Sequence, residues 1–180
     1  MAIGMMFTRV LCAVCLGSVL ACQMAEPPLT DAEKQAIADT VRQVNTSLLD
    51  LQEQPTTRES FDQATEAWID DAADRYIGTP AVWVSNVSVL NTVEDVVEEW
   101  EPTIGTRMGM RSVISNEHFV VLSRESVLHV FEAEFGIKDE DGNVGALAPW
   151  VVTQLWQRTD EGWKILHYHQ SWEPAADEEG

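Results

Sequence analysis

The chain has 180 residues, 45% of them hydrophobic and 23% charged, which is enough for one compact domain with an apolar core. Its 30 Asp and Glu outweigh 11 Lys and Arg to give a net charge of −19, which argues against nucleic acid or an anionic lipid surface as partner, since both call for a basic patch. All three cysteines lie within the first 22 residues, which excludes a disulfide scaffold or a thiolate metal cluster in the body of the chain.

The first 21 residues differ from the rest. Arg9 is followed by an uncharged, largely apolar run from Val10 to Ala21 that stops at Cys22. Twelve residues are too few to span a bilayer, which takes about 20, but they suit the apolar region of a secretory signal. Val19-Leu20-Ala21-Cys22 resembles a bacterial lipobox, which implies cleavage before Cys22 and lipidation of its thiol. The expected organisation is a lipoprotein signal peptide over 1–21, a tether over 22–28, a domain over 29–172 and a disordered acidic tail over 173–180. The mature chain keeps 180 − 21 = 159 residues and one cysteine, and its 10 basic against 30 acidic residues give −20. Several acyl chains on Cys22 anchor a protein stably to a membrane. The resemblance implies a cell-envelope location, and Gln23 after the cysteine implies the outer membrane, facing the periplasm, in a Gram-negative organism. Nucleotide cofactors made inside the cell are not expected there, and no motif calls for any cofactor.

Three helices are predicted. Thr30-Asp-Ala-Glu33 is a capping box, and Ile37, Val41, Val44, Leu48 and Leu51 recur at helical spacing until Pro55. Thr56-Thr-Arg-Glu59 reads as a second box, opening a short helix with Phe61, Ala64 and Trp68 on one face. The third helix begins near Thr92 and stops at Pro102. Between the second and third, residues 75–90 read as one or two short strands. Four longer strands are expected over 110–122, 127–138, 146–158 and 163–172, joined by polar turns such as Asp139-Glu-Asp-Gly-Asn143. This order predicts an α+β domain with helices on one face of a curved, mostly antiparallel sheet.

That order, together with the ending Asp160-Glu-Gly-Trp163-Lys-Ile-Leu-His167-Tyr-His169-Gln-Ser171, resembles the SnoaL-like, ketosteroid-isomerase-like branch of the nuclear transport factor 2-like superfamily. The Asp141-Gly142 hairpin and the Thr153–Arg158 strand fit it too. The resemblance spans Leu29 to Trp172 and implies a cone-shaped fold, a sheet wrapped on a long helix around an apolar pocket, and often a homodimer through the outer sheet face. Fold alone does not fix function.

Strict alternation on the last strand places Trp163, Ile165, His167, His169 and Ser171 on one face, which the resemblance turns inward. Imidazole titrates near neutral pH, so His167 and His169 are candidates for acid–base chemistry, with Ser171 orienting them. The alternative is that both are neutral structural rings. A shared metal would need a third ligand, yet Glu132 and Glu134 face opposite to His129 on their strand, so no metal site is expected. Glu132 and Glu134 point either to a wet pocket or to solvent, the second being commoner for alternating carboxylates. Asp70, Asp71 and Asp74 fall where ketosteroid isomerases carry their proton-moving aspartate. That reaction also needs an oxyanion hole built with tyrosine, and no tyrosine lies on the first helix. Seven tryptophans favour a pocket for an apolar or aromatic ligand, with Trp68, Trp83, Trp100, Trp150 and Trp156 as wall residues. Three readings follow: a lipid-anchored domain binding a small apolar ligand, an acid–base enzyme using His167 or His169, and a dimeric assembly module without catalysis.

Overall fold

The computed structural model describes residues 26–68, 76–80, 88–90 and 92–172. The signal segment with Cys22, Asp70, Asp71, Asp74, Trp83 and the acidic tail lie outside the described residues.

Helix α1 (Asp31–Gln52) starts at the expected capping box. The Glu33 N–H donates to the Thr30 hydroxyl at 3.2 Å, and the Thr30 N–H donates to the Glu33 carboxylate at 2.7 Å. Its stripe of Ile37, Val41, Val44 and Leu48 packs on the buried cluster of Val127, Trp156 and Ile165. Leu49 packs on a second cluster that includes Met110, Phe131 and Trp150. Helix α2 (Arg58–Thr65) begins one residue later than the sequence suggests, capped by Thr57 with Ser60 rather than by Thr56 with Glu59. Thr56 is committed elsewhere. Its N–H donates to the Arg107 carbonyl at 2.9 Å, and its own carbonyl accepts from the Gly105 N–H at 2.8 Å.

Strands β1 (Tyr76–Pro80) and β2 (Ser88–Leu90) precede helix α3 (Val93–Trp100), and a 3-10 turn over Glu101–Thr103 with Pro102 follows it. Strands β3 (Met110–Val121), β4 (Ser126–Ile137), β5 (Ala148–Thr159) and β6 (Gly162–Trp172) form the antiparallel meander. The six-stranded order is β2-β1-β6-β5-β4-β3, and only β1 against β6 is parallel. The helices cover one face of this curved sheet, the α+β arrangement that the sequence predicts. No helix among the described residues is long and apolar enough to cross a membrane.

Gly109 lets the chain pass from the turn into β3. Its φ is 120°, and a Cβ there would lie 2.5 Å from the Glu53 carbonyl oxygen at the end of α1. The same carbonyl accepts from Lys138 Nζ at 2.8 Å, so the end of α1 is tied to the end of β4.

Two register shifts decide which side chains face the helices. On β3 the pairing with β4 skips Ser115, and on β6 the pairing with β5 skips Leu166. A bulge reverses the alternation beyond it. At Leu166 it coincides with a change of partner: the Ile165 N–H donates to the Ala67 carbonyl at 2.7 Å, and Trp68 bridges Ile165.

Candidate functional site

Between the helices and the inner face of the sheet lies a cavity of about 530 Å³. This is within the range of small-ligand sites. The walls are mainly apolar. Helices α1 and α2 supply residues such as Leu48, Leu49 and Phe61, and the sheet supplies Met110, Phe131 and Phe135. Trp68, Trp100 and Trp150 also line it. Trp68 leans on Tyr168 with ring centroids 5.5 Å apart, and Phe131 meets Trp150 edge-on at 5.6 Å. Trp156 does not line the cavity. It is fully buried beneath it, in the cluster with Val41, Val127 and Ile165. Trp83 lies outside the described residues.

The bulge at Leu166 corrects the expected inward face of the last strand. Ile165 pairs with buried Trp156, but two residues later His167 pairs with Leu155, His169 with Thr153 and Ser171 with Val151, all on the outer face. Tyr168 and Gln170 pair with the inward Gln154 and Val152, and both line the cavity. His167, His169 and Ser171 therefore share one face with each other, but it is the face turned away from the cavity. Strict alternation from Trp163 cannot reveal this, because the extra residue sits where the strand bonds to the distant Ala67 carbonyl. Glu132 and Glu134 are exposed on that same outer face.

Polar side chains also line the cavity wall. Gln170 Oε1 accepts from Trp150 Nε1 at 3.0 Å and from the Tyr168 hydroxyl at 3.2 Å. Buried Asn45 projects from α1, and Gln154 from β5. Gln52 and the hydroxyl residues Thr56, Ser60, Thr65, Thr103 and Thr106 line it as well, with Arg107 from the loop before β3. Burial pushes its guanidinium below its usual value, and Tyr168 opposes that shift. Among the described residues the wall carries no Asp, Glu, His, Lys or Cys. No group of His, Cys, Asp and Glu among them is arranged to hold a metal ion.

One titratable pair sits behind the wall. His129, fully buried on β4, stacks on Phe119 with ring centroids 4.1 Å apart. Its Nδ1 lies 3.1 Å from Gln154 Oε1, which also accepts from Trp156 Nε1 at 3.0 Å. The indole is donor only, so it fixes which end of the Gln154 amide is the oxygen, and His129 Nδ1 must then be the protonated nitrogen. Nε2 lies 3.4 Å from Glu117 Oε2 without a hydrogen bond, and Glu117 Oε1 takes Arg42 Nε at 2.5 Å. Burial lowers the His129 pKa and outweighs the opposing pull of Gln154 and Glu117. The sequence showed His129 as an alternating strand residue. Its partners come from β3, β5 and α1, which no local pattern links.

With this geometry in view, similarity to known proteins decides the family. Residues 41–176 match the SnoaL-like domain family. The chain belongs to that family. Solved structures with the same fold include a provisionally assigned dehydratase of the NTF2-like family from Streptomyces avermitilis, at 17% identity and a TM-score of 0.59 over 76% of this chain and 96% of that one. A hexachlorocyclohexane dehydrochlorinase, LinA-type3 from Novosphingobium barchaimii, matches at 14% identity and 0.55 over 79% and 90%. The association domain of CaMKII from C. elegans matches at 17% identity and 0.55 over 79% and 99%. At these identities the likeness extends to the fold alone. No functionally curated protein matches the SnoaL-like chain.

Proposed function

We propose that this SnoaL-like domain binds a small apolar or aromatic molecule in the cavity beneath its sheet. The supporting observation is the cavity itself: about 530 Å³ of space whose wall is mainly aromatic and aliphatic, with hydroxyl, amide and guanidinium side chains among them. A domain whose cone is filled by its own tryptophans would leave no such space. Here Trp156 goes into the core, and Trp68, Trp100 and Trp150 stand around the void.

The acid–base reading has weaker support. Dehydratase and dehydrochlorinase chemistry named for two structural relatives needs a group that takes a proton from the substrate. Among the described residues the wall offers Tyr168 and Arg107 as its only titratable side chains, while His129 is separated from the void by Gln154. The outer sheet face, where His167, His169 and Ser171 lie beside Val151 and Leu155, fits self-association of two copies better than catalysis. Val113 and Val151, 45% and 43% exposed, lie on that face. In this reading, lipid on Cys22 holds the domain at the cell envelope, so the ligand is one met outside the cytoplasm.

Native mass spectrometry of the full chain tests the proposal. The expected result is a co-purified mass that is present in the wild type and lost in Ala64→Trp, which fills the cavity. A bare spectrum from several expression hosts, with no added small aromatic compound retained, would contradict it.

A further inference from the structure

Arg107 is the single basic side chain on the cavity wall among the described residues. Its backbone is pinned: the carbonyl accepts from the Thr56 N–H at 2.9 Å, and its N–H donates to the Thr103 carbonyl at 3.0 Å. Its guanidinium carbon stands 5.7 Å from the Trp100 ring centroid. Nη2 lies 2.9 Å from Met110 Sδ, a weak acceptor, and buried Nε has no hydrogen-bond partner among the described residues.

Among the described residues no carboxylate pairs with Arg107, which is unusual for this chain. Acidic residues outnumber basic ones by 30 to 11. The other half-buried cations among the described residues, Arg42, Arg124, Lys138 and Lys164, each pair with a carboxylate. Arg107 forms no ion pair among the described residues, although burial is the leading influence on its guanidinium and pushes it below its usual value. A guanidinium stays charged in a protein, and burying it unpaired is unfavourable. Such a charge persists where a partner arrives from outside, and the open side here is an aromatic-walled void. We infer that Arg107 receives the anionic head of the cavity's ligand, which is therefore an apolar or aromatic carboxylic acid with its hydrocarbon part against Trp68, Trp100 and Trp150.

A phosphate monoester fits less well. It carries close to two charges at neutral pH, and among the described residues the wall offers one cation. The surrounding charge adds a kinetic signature. With a net −19 the protein repels an approaching anion at long range, so association should quicken as salt screens that field.

This inference rests on the ligand-binding reading above, and a matched pair of compounds separates the two. Calorimetric titration of the full chain uses 2-naphthylacetic acid and its neutral amide, 2-naphthylacetamide. The acid should bind the wild type about tenfold or more tightly than the amide, the scale of one hydrogen bond to a charged group. Arg107→Met should lose the preference and bind both compounds alike, and Arg107→Lys should keep part of it. Without ligand, Arg107→Met should melt at a higher temperature than the wild type, because an uncompensated buried charge has gone. Equal binding of acid and amide to the wild type would overturn the head-group assignment and leave the cavity reading standing. A preference for acid that survives in Arg107→Met would also overturn it, as would a fall in the ligand-free melting temperature of that variant. If neither compound binds at millimolar concentration, both readings fall together.

Discussion

Ile165 and His167 stand two residues apart on one strand yet face opposite sides of the sheet, because Leu166 between them has no partner on β5. That relationship assigns the last strand. It turns Tyr168 and Gln170 toward the helices and puts His167, His169 and Ser171 on the outside.

The inward turn makes Gln170 the fixed point of the cavity floor. Its Oε1 takes both the Trp150 indole and the Tyr168 hydroxyl. Gln170→Leu removes the acceptor of the buried Trp150 indole, at a cost of about 1–3 kcal/mol for a donor left unsatisfied. Urea denaturation should show a loss of that order, whereas Ser171→Ala on the opposite face should change stability by less than about 0.5 kcal/mol.

His129 gives the fold a pH dependence of defined sign. Its folded pKa lies below its unfolded one because burial opposes the charged ring. Between the folded value and about 6.5 the unfolded chain binds more protons, so stability falls as pH drops through that window. Above it the dependence vanishes. Comparing urea midpoints of the wild type and His129→Gln at pH 7.5 and at about pH 5 isolates this part, and the wild type should lose more.

Much of the fold was legible in the sequence. The Thr30 box, the stripe from Ile37 to Leu48 and the Asp139–Asn143 turn are local patterns with local causes, and they appear where expected. The cap of α2 slipped by one residue because the backbone of Thr56 bonds to Arg107 and Gly105, far along the chain. The same kind of cause hid the site. The extra residue at Leu166 adjoins a contact with distant Ala67, and the lack of an ion pair to Arg107 among the described residues is a matter of packing. Periodicity reports neither. His129 looked like any alternating strand residue until Glu117, Gln154 and Arg42 converged around it.

Gly109 is a strict requirement of the junction between α1 and β3. Alanine there would take a φ of 120° and place its Cβ 2.5 Å from the Glu53 carbonyl oxygen. Gly109→Ala should cost roughly 2 kcal/mol or more, combining backbone strain with displacement of the end of α1. Gly142→Ala, with φ of 83° but open space around its Cβ, should cost less. Thermal melts of the two variants side by side check the ranking.

The outer sheet face gives a prediction about assembly. A charge placed at Val130, which pairs with Thr153 on that face, should dissociate a homodimer built through it while leaving the cavity intact. Light scattering of wild type and Val130→Arg should report a change from two copies to one, with ligand retained by both.

Cys22 carries the expectation about location. Cys22→Ser should abolish incorporation of labelled palmitate and release the protein from the membrane fraction. Labelling that persists in the variant would remove the anchor from the account.

The central claim is that the ligand sits inside the cone, against Tyr168 and Gln170, and not on the histidine face. Calorimetric titration with 2-naphthylacetic acid on three proteins tests it most directly: wild type, Ala64→Trp, and the triple variant His167→Ala, His169→Ala, Ser171→Ala. The account predicts that the triple variant binds like the wild type and that Ala64→Trp does not bind. Loss of binding in the triple variant, with Ala64→Trp unaffected, would contradict it.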